Sequence, residues 1–154
     1  MSEKYFVIKI KNQQNLVSKI KQYAGRAGQL KPFLKWLDVK LRGGIEENFL
    51  TEGRYSGEKW QEWSEKYKKW RIKHYGGGQI LTREGNLRES ITSIFEDDKL
   101  IIGTAKEYAA IHNFGHKKRN MPKREYFRFS SENLKEIKED LRAFALELIE
   151  IKEK

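Results

Sequence analysis

Apolar and polar positions alternate along Tyr5-Phe6-Val7-Ile8-Lys9-Ile10-Lys11, with Phe6, Ile8 and Ile10 on one face, which predicts a strand. Asn12 or Asn15 can cap a short helix that follows, on which Leu16, Ile20 and Tyr23 share a face before Gly25-Arg26-Ala27-Gly28 breaks it. A second helix is predicted from Lys31, with Pro32 in its first turn, where a missing N–H costs nothing. Leu34, Leu37, Leu41, Ile45 and Asn48/Phe49 carry its apolar stripe. Gly43-Gly44 interrupts that stripe, and since a helical glycine costs about 1 kcal/mol against alanine, the pair predicts a kink or a close packing contact.

Residues 52–57 read as a loop. Trp60 and Trp63 come next, and then a helix capped by Ser64 and running to about His74, stopped by Gly76-Gly77-Gly78. A short helix is expected around residues 86–89. Residues 91–95 and 100–104 read as two strands, joined through turn-forming Glu96-Asp97-Asp98-Lys99 into an antiparallel hairpin. Residues 107–114 predict a short helix ended by Gly115, followed by a basic loop over 116–123 that closes at Pro122. Tyr126-Phe127-Arg128-Phe129 looks strand-like. A final amphipathic helix follows, with Ser130 as cap, Phe129 stapled onto Leu134, and a stripe of Leu134, Ile137, Leu141, Phe144, Ala145 and Leu148. The expected fold is α+β: a small antiparallel sheet packed against several helices, with a long amphipathic C-terminal helix. No repeat, low-complexity tract or linker is visible, so residues 1–154 are expected to form a single domain.

Composition narrows the function classes. The 154 residues include no cysteine, which excludes a disulfide scaffold, a cysteine-based zinc site and a cysteine nucleophile. No apolar run approaches the roughly 18–20 residues that span a bilayer, and no leader peptide is visible, so no membrane partner is expected. The formal net charge is +10. It is uneven: residues 1–42 hold ten bases against two acids, while Lys66, Lys68, Lys69, Arg71 and Lys73 cluster without an acid. Lys117, Lys118 and Arg119 head a third cluster, and the segment from Ser130 onward carries five bases and seven acids. Several separate basic faces result, rather than one basic arm.

Catalytic signatures are missing. Gly76-Gly77-Gly78 lacks the Lys-Ser/Thr of a phosphate loop, and no serine sits in a nucleophile elbow. His112 and His116 stand four residues apart, but Gly115 breaks the helix between them, so no metal or cofactor is expected. Trp60, Trp63, Tyr67, Trp70 and His74 step by three and four residues. On one helix they form a continuous ridge, read here as packed on the core with a solvated basic face. The alternatives are base stacking between phosphate-binding cations, or a subunit interface rich in Trp, Tyr and Arg. Lys117, Lys118 and Arg119 are read either as a solvated loop or as a contact for DNA or an acidic protein.

The order of the motifs is specific. Asn48-Phe49 precedes Glu52-Gly53; Gly57 and Trp60 follow; then come Ile80-Leu81-Thr82, Gly85, Leu87-Arg88 and Ser90-Ile91. Ile102-Gly103-Thr104, Tyr108-Ala109-Ala110-Ile111-His112-x-Phe114-Gly115 and Pro122-x-Arg124-x-Tyr126 complete the set. This chain resembles the phage virion morphogenesis family, the group of the phage Mu tail completion protein, over about Tyr5 to Phe129. Glu125 stands where that family often has a second proline, and the loop 116–121 is unusually basic. The resemblance implies a non-enzymatic structural protein of tail completion or head–tail joining, assembled in the bacterial host cytoplasm into the virion. It implies a homo-oligomer, a ring in the family's manner, contacting tail-tube or neck and connector proteins. A nucleic-acid-binding module built on the aromatic and basic helix near 60–75 is the alternative, and the two are compatible. Beside the resemblance, Gly85 and Gly115 are expected at turns of positive φ, and Leu87, Ile91, Tyr108, Ile111 and Phe114 in the core. Ser90 belongs to the motif set; His112 is expected to bond a backbone group, and Arg124 to fork onto a carboxylate as Pro122 fixes the loop.

Overall fold

Leu34, Leu37, Leu41, Ile45 and Phe49 recur every three or four residues, and all five are buried along one face of helix α1 (Leu30–Leu50). The computed structural model describes residues 5–6, 30–96 and 99–150. The expected helix carrying Leu16, Ile20 and Tyr23, and the strand beyond Phe6, lie outside the described residues. Pro32 falls in the first turn of α1, as its missing donor requires. The helix runs unbroken through both glycines. Gly43 faces open space, whereas a Cβ on Gly44 would lie 2.5 Å from the Phe129 ring and 3.1 Å from Tyr55. Of the two outcomes the glycine pair predicts, the close contact is the one realised, and only at Gly44.

Strand β1 (Tyr5–Phe6), β2 (Thr92–Phe95) and β3 (Leu100–Gly103) form one antiparallel sheet in the order β1-β3-β2. Tyr5 pairs with Gly103, while Thr92 and Phe95 pair with Gly103 and Leu100 across the hairpin. The hairpin closes with Glu96 N–H donating to Lys99 O at 3.0 Å. Ser93 donates to Asp38 and so ties β2 to α1. With α2 (Glu65–Tyr75), α3 (Asn86–Glu89), α4 (Ala109–Phe114) and α5 (Ser131–Glu150), the class is α+β as expected.

One buried cluster joins Leu37, Leu41, Ile45 and Phe49 of α1 to Trp60, Ile80, Leu87, Ile91, Ile102, Ala109 and Tyr126. At its centre Phe49 meets Trp60 edge-on at 5.7 Å and Tyr126 at 5.3 Å. Tyr126 is fully enclosed, its hydroxyl donates to Ala109 O at 3.0 Å, and burial pushes its pKa well above the usual tyrosine range.

Three expectations need correction. Tyr108 and Phe114 are 41% and 59% exposed, not core. Helix α4 is only six residues long and turns Ala109 and Asn113 inward, four apart, which leaves the residues flanking them outside. Residues 126–129 form a turn and irregular chain, not a strand. Their backbone is held by side chains instead: Asn48 Nδ2 donates to Tyr126 O and Arg128 O, and Asn113 Oδ1 accepts from Phe127 N. The cap of α5 is as expected, with Ser130 Oγ accepting from Asn133 N at 3.1 Å. On its stripe Leu134 is exposed and Ile137 packs against the core; the side chains of Leu141, Phe144, Ala145 and Leu148 lie outside the described ones.

Candidate functional site

Helix α2 is built to stand apart from the core. Its sequence is mostly charged, and local signals set its two ends. Ser64 Oγ accepts from Tyr67 N, Glu65 sits in the first turn, and Lys73 and His74 in the last, each with the sign the helix dipole favours. Gly76, at φ 69°, closes the C-terminus with its N–H directed at Arg71 O and Ile72 O.

The aromatic ridge splits in two. Trp60 precedes the helix and is buried on Phe49. Trp63, Tyr67, Trp70 and His74 form a ladder with centroid spacings of 5.8, 5.5 and 4.9 Å, and Tyr75 adds to Trp70 at 5.6 Å. Tyr67 and Trp70 are each 38% exposed, so the expectation of a core-packed ridge holds for Trp60, and in part for Trp63, which is half-buried against the core, but not for the rest. The helix starts at Glu65, one turn too late to carry Trp60 in phase. Lys66, Lys68, Lys69 and Lys73 are all exposed around the ladder.

Arg71 departs from its neighbours. Only 3% of it is exposed, and its guanidinium lies 4.8 Å from the Tyr75 ring centroid and 5.8 Å from that of Trp63. Nη1 is buried with no hydrogen-bond partner. The signal was present in the sequence: Trp63, Tyr67, Arg71 and Tyr75 are spaced by four, which sets the arginine on the aromatic face and apart from the lysines.

A groove of about 950 Å³ runs beside this face. One wall includes Trp63, Tyr67 and Arg71; another includes Leu81, Gly85 and Leu87; Tyr108 and His112 of the α4 region, Lys117, Pro122 and Arg124 also line it, as do Arg83 and the carboxylates Glu62 and Glu84. Motif residues scattered over sixty positions thus meet at one place. Gly85 and Gly115 take φ values of 75° and 73°, as expected. At Gly115 a side chain is excluded twice, because a Cβ would also lie 2.9 Å from Lys123 N. Ser90 Oγ donates to Leu87 O and bonds Thr104 Oγ1 at 2.7 Å, joining α3 to the end of β3.

Arg124 forks, but not onto a carboxylate. Nε and Nη2 donate to Gln61 O at 3.0 and 2.9 Å, and Nη2 also reaches Glu62 O at 3.4 Å. Its backbone N–H donates to His112 O at 2.8 Å, so one residue spans the groove from α4 to the approach of α2. Burial lowers the Arg124 pKa, against the opposing pull of Tyr67, Glu52 and Glu62. His112 makes no backbone bond through its ring: Nδ1 is buried without a partner, and burial, then the Arg124 charge, lower its pKa. Its ring meets Tyr108 edge-on at 5.9 Å.

The basic loop is ordered by its own backbone. His116 and Met121 exchange two hydrogen bonds around a short 3-10 turn, Lys117–Arg119, leaving Lys117, Lys118 and Arg119 exposed. Only Lys117 of the three borders the groove. Glu125, at the position of the family's second proline, bridges Lys123 at 2.9 Å and Arg128 at 3.4 Å. Among the described residues no cluster of three or more His, Asp or Glu is placed to hold a metal, and no helix is long and apolar enough to cross a membrane.

Residues 8–145 match the model of the phage virion morphogenesis family. The chain belongs to this family. Among its relatives is protein G of Escherichia phage Mu, named for capsid assembly, 43% identical over 61 residues that make up 39% of each chain. Mu-like prophage FluMu G protein 2 of Haemophilus influenzae is 28% identical over 142 residues, 89% of this chain and 94% of that one. FluMu G protein 1 of the same organism is 34% identical over 100 residues, covering 64% and 67%. No solved structure gives a significant match. Membership in a virion morphogenesis family supports a structural role in phage assembly.

Proposed function

We propose that this family member completes the tail or joins head to tail, without catalysis or a cofactor. It acts by self-association, as a ring, and by contact with tail-tube or neck and connector proteins in the host cytoplasm. The observation that carries the reading is the exposed Tyr67–Trp70–His74 end of the aromatic ladder. Tryptophan and tyrosine concentrate binding energy at protein interfaces, and Tyr67 and Trp70 stay exposed beyond the core-packed Trp63. Native mass spectrometry across concentration, with pull-down of particle proteins, tests it. Higher-order species are expected, weakened by Tyr67→Ser and Trp70→Ser. A chain that stays monomeric and captures no particle protein refutes it.

The exposed lysines around the ladder favour a second activity, contact with DNA. Affinity should then fall steeply with salt, roughly 0.9 log units per log unit of salt for each phosphate neutralised. Changing Lys66, Lys68 and Lys69 together to Glu should abolish it; binding that ignores both salt and these changes removes the reading.

A further inference from the structure

Three buried side-chain atoms in the described structure lack a hydrogen-bond partner, and two of them, Arg71 Nη1 and His112 Nδ1, belong to residues of the same groove. An isolated buried cation is costly unless a counter-charge accompanies it. Among the described residues Arg71 has aromatic rings beside it and no carboxylate in contact. The acids near the groove are committed elsewhere: Glu84 pairs with Arg83 at 3.1 Å, and Glu62 with Lys59. Lys117, exposed at the rim, adds a further cation without a carboxylate.

We infer that this groove is a docking site for an acidic peptide segment of another virion protein, whose carboxylate supplies the counter-charge that Arg71 lacks. A carboxylate matches the planar guanidinium edge. Trp63 and Tyr67 give the neighbouring peptide side chains an aromatic wall, and the partnerless ring nitrogen of His112 lies in the same lining. A carboxylate on a flexible side chain can reach an enclosed guanidinium, whereas the phosphates of a duplex are held on a stiff rod. The lysines suited to DNA, Lys66, Lys68 and Lys69, are not part of the groove. The inference rests on the assembly role proposed above and names the chemistry of one partner.

The test is an array of nonapeptides with one central Asp or Glu among varied apolar neighbours, beside the same set with Asn or Gln, probed with the full chain. Acidic members should be retained, and their amide counterparts bound at least tenfold more weakly. Arg71→Gln and Lys117→Glu should each lower retention at least tenfold; Lys117 is exposed, so its variant keeps the fold, as a thermal melt verifies. A blank array, equal binding of acids and amides, or variants that bind like the parent chain overturns the proposal. So does displacement of the peptides by duplex DNA, or self-association lost in both variants, which assigns the groove to a second copy. A blank array with particle proteins still captured defeats the groove alone; failure of both defeats the assembly role.

Discussion

Arg124 and His112 show how single side chains set the groove. Arg124 is buried and its donors meet main-chain oxygens of Gln61 and Glu62. Arg124→Met leaves those carbonyls without their charged donor, and the expected loss is about 2–3 kcal/mol in urea unfolding. Tyr126→Phe removes the single bond to Ala109 O while keeping the ring, for about 1–2 kcal/mol. His112 predicts an acid limb. Its folded pKa lies below the ordinary 6.5, so beneath that pH the unfolded chain binds a proton that the folded chain refuses. Stability should therefore fall as pH drops below about 6.5 and level off once folded His112 protonates. Melting curves from pH 7.5 to 4.5 should show this limb, and His112→Gln should flatten it.

At the scale of elements, the neighbouring glycines of α1 give opposite predictions. Gly43→Ala adds helix propensity over open space and should stabilise by about 1 kcal/mol. Gly44→Ala drives a methyl into the Phe129 ring and should destabilise by about 1–3 kcal/mol, both read as denaturation midpoints. The sequence showed that something must happen at this pair, and could not show at which member, because Phe129 lies eighty-five positions away. The same divide runs through the fold. The α1 stripe, the hairpin and the Ser64 cap were legible because their causes are local: period, turn residues and a cap hydroxyl. Residues 126–129 were misjudged as a strand because Asn48 and Asn113, distant in sequence, satisfy their backbone. Tyr108 and Phe114 were misjudged as core because a six-residue helix can bury only one narrow face, and apolar character alone does not choose it.

For the whole molecule, the net charge of +10 divides into parts with different duties. The lysines of α2 are exposed and outside the groove, whereas Arg71, four residues from Tyr67 and from Tyr75, is enclosed. Charge reversal at Lys66, Lys68 and Lys69 should leave the melting midpoint within the change expected of about 0.5 kcal/mol per site, while shifting any DNA affinity. The individual motif pieces were readable in the chain, but their convergence was not. Trp63, Leu87, His112 and Arg124 become neighbours only because α1 and Tyr126 fix the elements that carry them.

Arg124 has one more consequence, and it concerns how such sequences diverge. Its partners are carbonyl oxygens, which every amino acid carries. Positions 61 and 62 are therefore free to drift without loosening the grip, while position 124 is not. Across descendants of this chain, the held residues should vary as the holder persists, so an alignment would record only one half of the bond.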